Sequence, residues 1–266
     1  MDKLLGCRLF LLDMDGTLNL GDAPLPQAAR FLRCLTERGS RFVYLTNNSS
    51  RSSEDYVNRM RGMGFPCARE NVFTSGEASA AYILENYPGR PVYAVGTAAL
   101  SRELEGFGLP LAYSEDSLVL VGFDRELTYE KLDRAVHLLR HGAPFIAANP
   151  DWVCPMPGNE VLPDCGSICA LLTAASGREP TYIGKPARRM VDIMSTKFGV
   201  ANGEICCVGD RLYTDIAAAN NAGAVSVLVL SGETNREMLE ASPDQPDYVF
   251  NDVGELADYL YLGHGR

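Results

Sequence analysis

A doubly wound, parallel α/β fold is the architecture this sequence predicts, and three observations carry it. Runs such as Leu9-Phe10-Leu11-Leu12, Phe42-Val43-Tyr44-Leu45 and Ile205-Cys206-Cys207-Val208 have no polar break, as strands buried on both faces do. Between them lie apolar residues at helical spacing, for example Ala28, Phe31, Leu32 and Leu35, and strand–helix–strand order makes parallel pairs with right-handed crossovers. The pattern breaks off near Tyr82, a second α/β alternation of about one hundred residues follows, and the first pattern resumes at Tyr182.

The first strand ends in Asp13-Met14-Asp15-Gly16-Thr17. Ligands of open α/β sheets bind beyond the carboxyl ends of the strands. Gly16 lets the backbone turn at once, so that both carboxylates surround one point. Their repulsion is relieved by a divalent cation, by protonation of one carboxyl, or by both. A helix starting at Pro26 and stopped by Gly39 leads to the second strand, whose polar end is Thr46-Asn47-Asn48-Ser49-Ser50. The crossover puts Thr46 and Asn47 on the Asp13 edge of the sheet. Tyr56, Val57, Met60 and Met63 form a stripe toward the core, Asn71–Thr74 a short strand, and Thr74 with Glu77 a capping box.

In the second alternation, strands fall at 92–95, 118–121 and 144–148, with helices near 100–104 and over 129–140. Asn149-Pro150-Asp151-Trp152 then opens an irregular loop to Gly166, of a length that is functional or disordered in compact domains. It carries the only tryptophan, read as a packing residue. A helix of small residues over 167–175 follows. Tyr182-Ile183 reads as a brief strand of the first sheet ending in Gly184-Lys185-Pro186. Met190, Val191, Met194 and Phe198 form a helix stopped by Gly199, and the 205–208 strand ends in Gly209-Asp210-Arg211-Leu212-Tyr213-Thr214-Asp215. A close-packing helix over 217–223 and strands at 225–230 and 248–250 complete the pattern.

Composition narrows the function. A net charge of -10 disfavours nucleic acid and anionic membrane as main partners. No apolar run approaches a membrane span and the first residues lack a signal-peptide pattern, so a cytoplasmic protein is expected. The 8 cysteines form no C-x-x-C pair and read as reduced thiols, with Cys165/Cys169 helix-spaced and Cys206-Cys207 vicinal in a strand. His137 and His141 lack a nearby acidic third ligand and read as an exposed helix face.

Four strand ends of the first sheet therefore offer Asp13 with Asp15, Thr46 with Asn47, Lys185, and Asp210 with Asp215. Three or four carboxylates around one point favour Mg²⁺, and one ammonium with one hydroxyl suits a phosphoryl group.

The set D-x-D-G-T, strand-terminal Thr, G-K-P and G-D-x-x-x-T-D, in this order, resembles the haloacid dehalogenase (HAD) superfamily, specifically its NagD-like or p-nitrophenylphosphatase-like phosphatases. Asn149-Pro150-Asp151, Gly166-Ser167 and Gly177-Arg178-Glu179-Pro180 resemble that branch's inserted cap. The resemblance implies a Rossmann-like core over residues 1–81 and 182–266 and an α/β cap over 82–181 that closes on the sheet edge and selects substrate. It implies Asp13 as nucleophile forming an aspartyl-phosphate, and Asp15 as general acid and then base. It implies Mg²⁺ held by Asp13, by the Asp15 carbonyl and by Asp210, with Asp215 orienting these groups. Thr46, Asn47 and Lys185 would hold the phosphoryl group, and Asn149 and Asp151 would meet the substrate. Val153–Leu162, with Cys154-Pro155-Met156-Pro157 and Asn159-Glu160, departs from the branch and offers no recognisable grip.

The expectation is a Mg²⁺-dependent phosphatase of small phosphorylated metabolites, and the resemblance implies pairing as a homodimer through the caps. A phosphotransferase using the same intermediate and a catalytically silent phosphate-ligand-binding regulator are the alternatives.

Overall fold

The computed structural model describes residues 2–156, 158 and 160–264, apart from the His264 side chain. In chain order the elements are β1 (Leu9–Leu12), β2 (Asn19–Leu20), β3 (Ala23–Pro24), α1 (Ala28–Glu37), β4 (Arg41–Thr46), α2 (Ser53–Gly62) and β5 (Val72–Thr74). Then come α3 (Ser75–Asn86), β6 (Val92–Val95), α4 (Ala98–Gly106), β7 (Leu118–Val121), α5 (Tyr129–Arg140), β8 (Phe145–Ala147), β9 (Val153–Met156), β10 (Glu160–Pro163), α6 (Cys165–Ser176) and β11 (Thr181–Tyr182). The chain ends with α7 (Arg189–Phe198), β12 (Ile205–Gly209), α8 (Ala217–Ala222), β13 (Val225–Val229), α9 (Arg236–Ala241), β14 (Tyr248–Phe250) and α10 (Val253–His264).

The chain divides into two compact units. The first comprises Met1–Leu45, Tyr56–Phe73 and Lys185–Arg266; the second comprises Thr46–Asp55 and Thr74–Gly184. The six-stranded sheet has the order β14-β13-β12-β1-β4-β5. β1 lies between two parallel partners, with Leu12 opposite Val208 on one side and Tyr44 on the other. All four of its residues are buried, which explains its unbroken apolar sequence. Phe31, Leu32 and Leu35 of α1 pack with Leu256, Ala257 and Leu260 of α10 in the core of this unit. Each such large aliphatic side chain contributes about 1.5–3 kcal/mol when fully buried. α1 starts two residues later than expected, because Gln27 adopts a left-handed conformation (φ 67°) before it.

The second unit is built on a four-stranded sheet, β11-β8-β7-β6, whose described pairs are parallel. Val119, Val121, Leu138, Leu139, Ile168 and Leu172 belong to its core. Two expectations are corrected here. Tyr182 and Thr181 pair with β8 of this sheet rather than with the first sheet, and the N–H groups of Ile183 and Gly184 continue the ladder onto Ala147 and Ala148. Tyr182 packs against this unit's core, which explains why β11 stays there. Second, the 149–166 loop contains an antiparallel hairpin, β9 with β10. Its strands bury little, and Pro155 and Gly158 hide them from a pattern based on burial. Pro157 and Asn159 lie outside the described residues. Trp152 is 62% exposed and is not a packing residue.

Capping chemistry fixes the helix starts. Thr74, Thr97 and Thr128 each accept a hydrogen bond from the N–H three residues on. The Glu103 carboxylate of α4 accepts from the Ser53 N–H at 2.7 Å and from the Ser53 and Thr74 hydroxyls. Burial pushes this carboxyl up, opposed by the Ser53 and Thr74 hydrogen bonds. Glu103→Ala leaves the buried donors at Ser53 without their acceptor, at a cost of about 2–3 kcal/mol. A lowered denaturant midpoint with unchanged slope is the expected reading; an unchanged midpoint would show that water replaces the carboxylate without penalty.

Six of the 8 cysteines are buried thiols. His137 is exposed on α5 and His141 is exposed just past its end, with the His141 Nδ1 2.7 Å from the His137 carbonyl. Among the described residues no helix is long and apolar enough to cross a membrane.

Candidate active site

The carboxyl ends of β1 and β12 carry the acidic cluster. The Asp13 N–H donates to Val208 O at 2.9 Å, so Asp13 prolongs the β1 ladder by one residue before the chain turns. β12 ends one residue short of Asp210. A π-helical turn, Leu212–Ile216, follows and brings Asp215 back toward the strand end, where its Oδ2 accepts from the Arg211 N–H at 3.2 Å. Carboxylate oxygens of Asp13, Asp210 and Asp215 lie within 4.8 Å of one another. Among the described residues this is the one such grouping of three or more potential metal ligands.

Lys185 enters the cluster from the segment after β11. Its Nζ donates to Asp13 Oδ1 at 2.7 Å and to Asp215 Oδ1 at 2.5 Å. The ammonium is buried, its side chain 5% exposed. Burial alone would lower its pKa, but the Asp13 and Asp215 charges and hydrogen bonds overcome this and raise it, so Lys185 stays charged. The Asp13 carboxyl is pushed up, first by burial and then by Asp215 and Asp210, against the pull of Lys185. Asp210 is pushed up by burial and by Asp215, against the hydrogen bond from Glu233 N–H.

Asp210 is fixed with little freedom. Its Oδ2 accepts from the Glu233 N–H at 2.7 Å, whereas its buried Oδ1 has no partner. Gly16 and Gly232 wall it in. A Cβ on Gly16 would stand 2.3 Å from Asp210 Oδ2, one on Gly232 2.0 Å, and Gly16 also has φ +92°. Three hard oxygen donors, one of them buried and unpaired, fit a small divalent cation such as Mg²⁺.

Asp15 belongs to the same unit but is held differently. Its side chain is 52% exposed, and its oxygens accept from Arg59 Nη1 and Nη2 at 3.2 and 3.1 Å and from Asn19 Nδ2 at 2.7 Å. Nothing in the D-x-D-G-T pattern points to Arg59, which lies 44 residues further on.

The remaining candidates belong to the second unit. Thr46 is the last residue of β4, buried, and its hydroxyl accepts from the Asn48 N–H at 3.1 Å. Asn47 donates to Asp151 Oδ2 at 3.0 Å, and its carbonyl accepts from Asn149 Nδ2 at 2.7 Å and from the Ser75 hydroxyl. Asn149 is fully buried and also donates to Asp151 at 3.2 Å. Asn47, Asn149 and Asp151, distant in sequence, therefore form one network. Ser49 and Ser50 join the same unit by accepting from Phe123 N–H and from the Thr97 hydroxyl.

Comparison with known proteins identifies this arrangement. Residues 10–110 match the family described as haloacid dehalogenase-like hydrolase, and residues 182–256 match a HAD-hydrolase-like family. The 4-nitrophenylphosphatase of Thermotoga maritima superposes with a TM-score of 0.94 at 43% identity, covering 98% of this chain and 100% of that one. Ribonucleotide monophosphatase NagD of Escherichia coli K12 is 33% identical over 244 residues, 92% of this chain and 96% of its own. Glycerol phosphate phosphatase of Mycobacterium tuberculosis, solved in complex with magnesium, superposes with a TM-score of 0.88 at 31% identity, covering 98% of this chain and 80% of that one. The chain thus belongs to the haloacid dehalogenase-like hydrolases, in their NagD-like, p-nitrophenylphosphatase-like branch of phosphomonoester hydrolases.

Proposed function

We propose that this chain is a Mg²⁺-dependent phosphatase of small phosphorylated metabolites that works through an aspartyl-phosphate on Asp13. The observation that carries the reading is the buried Lys185 ammonium bridging Asp13 and Asp215, with Asp210 in the same 4.8 Å cluster. A carboxylate paired with a cation and surrounded by further acidic groups is a poor structural stabiliser but a suitable phosphoryl acceptor.

In this reading an Asp13 oxygen attacks phosphorus in line, and the bond to the leaving oxygen breaks as that oxygen takes a proton from Asp15. Asp15, now a carboxylate, removes a proton from water. The resulting hydroxide attacks phosphorus, releasing inorganic phosphate and restoring the Asp13 carboxylate. Lys185, the Thr46 hydroxyl and the Asn47 N–H are assigned to the phosphoryl oxygens. Asp13, the Asp15 carbonyl and Asp210 would hold Mg²⁺, which when bound would supply positive charge to the phosphoryl group. Asp215 keeps Lys185 in place. The core is assigned to residues 1–81 and 185–266 and the substrate-selecting cap to 82–184, since residues 181–184 pair along β8 and Ala148, with Asn149 and Asp151 on its substrate side.

The relatives named for a nitrophenyl ester, a ribonucleotide and glycerol phosphate support a small phosphomonoester as the substrate class. The test is phosphate release from p-nitrophenyl phosphate before and after EDTA, then with Mg²⁺ restored. Removal should cost at least about 100-fold in rate, recovered on adding Mg²⁺. Turnover indifferent to EDTA would overturn the metal requirement.

A further inference from the structure

Arg59 has no place in the chemistry above, yet its guanidinium makes four hydrogen bonds around Asp15. From α2 its Nη1 and Nη2 reach the two oxygens of Asp15, its Nε donates to Asp22 Oδ1 at 3.0 Å, and Nη2 also meets the Gly21 carbonyl. Gly21 and Asp22 form the tip of the β2–β3 hairpin. Asn19 of that hairpin completes the knot, donating to Asp15 Oδ1 at 2.7 Å and to the Gly21 carbonyl at 2.8 Å.

The exposures are unequal: the Arg59 side chain is 13% exposed, that of Asp15 52% and that of Asp22 88%. Ion pairs with such exposed carboxylates contribute about 0–1 kcal/mol to stability. A guanidinium fork instead confers geometry, since its donors are planar and fixed relative to one another. An exposed aspartate otherwise samples several rotamers, whereas Asp15 here has both oxygens engaged from two sides.

We propose that Arg59 is a positioning residue for Asp15, clamping its carboxylate and the β2–β3 hairpin tip into one unit. This rests on the proposed acid–base role of Asp15. Arg59 acts through Asp15: its fork holds the carboxylate by both oxygens and sets where the group stands before one oxygen is released to carry the proton. Displacing a reacting group by about an ångström costs up to about 10²-fold in rate.

The experiment is a double-mutant cycle on phosphate release from p-nitrophenyl phosphate and from glycerol phosphate, using Arg59→Ala, Asp15→Asn and the double variant in the full chain. Circular dichroism confirms folding, and Arg59→Lys serves as a second variant that keeps the stem and charge. Arg59→Ala should lower kcat about 10- to 100-fold, with KM changed less than about threefold. Arg59→Lys should recover only part of the loss, because an ammonium cannot fork. In the Asp15→Asn background Arg59→Ala should have no further effect, since coupled residues are non-additive. An unchanged kcat in folded Arg59→Ala and Arg59→Lys, or the same fractional loss in both backgrounds, would overturn the inference while leaving the Asp15 assignment standing. Wild-type turnover in Asp15→Asn would remove the acid–base reading and this inference with it.

Discussion

Asp13→Asn is expected to lose phosphate release by about 10³-fold or more, the scale on which an enzyme fails when its nucleophile is removed. The amide keeps the size of the side chain but cannot expel a leaving group from phosphorus, and no neighbour can substitute. Asp210 and Asp215 are buried in the same cluster, but one is walled by Gly16 and Gly232 and the other is tied to Lys185 and the Arg211 N–H. The variant should fold, because Lys185 retains Asp215. Its melting temperature should equal or exceed that of the parent, since one of three crowded carboxylates is gone. Trapping acid-stable phosphoprotein and measuring released phosphate on the same preparation checks both parts; a folded variant with near-parental turnover would place the nucleophile elsewhere.

Lys185→Met should be costly twice over. It leaves the Asp13 and Asp215 carboxylates facing each other without the ammonium 2.7 and 2.5 Å away. Breaking a buried pair from one side typically costs about 3–5 kcal/mol, because the remaining charge is uncompensated. Activity should fall about 10²- to 10³-fold, the usual loss on deleting one group aimed at developing oxyanion charge. The two effects separate by titration with Mg²⁺. Thermal unfolding with and without the ion should show a larger stabilisation in Lys185→Met than in the parent, while turnover stays low. A variant as stable and active as the parent would reduce Lys185 to a bystander.

The strands of both sheets are legible in the sequence because fully buried parallel strands are continuous apolar runs, as β1, β7 and β12 are. Elements that bury little are not. The β9–β10 hairpin, the two-residue strands β2 and β3, and six-residue α9, which has no buried residue, leave no periodic trace. α10 does carry helical spacing at Val253, Leu256, Ala257 and Leu260. The position of Lys185 illustrates a different limit. The motif G-K-P marks its chemistry, but not that the preceding two-residue strand hydrogen-bonds to β8. Asp13 and Asp210 stand out because carboxylates follow apolar runs at strand ends, and Asp215 because it closes the G-D-x-x-x-T-D pattern. Arg59 does not, because its partners Asp15 and Asp22 are 44 and 37 residues away and an arginine on a polar helix is ordinary. The Asn47–Asn149–Asp151 network is invisible for the same reason, spanning more than a hundred positions.

The chain around Asp210 leaves no volume to spare. Two glycines far apart in sequence face the same carboxylate, and a Cβ at either would stand 2.3 or 2.0 Å from Asp210 Oδ2. At position 16 the backbone also has φ +92°, which disfavours any side chain whatever the space. The acidic cluster therefore tolerates no methyl group at position 16 or 232 unless Asp210 moves, so the main chain sets the position of this acid as firmly as its own strand does.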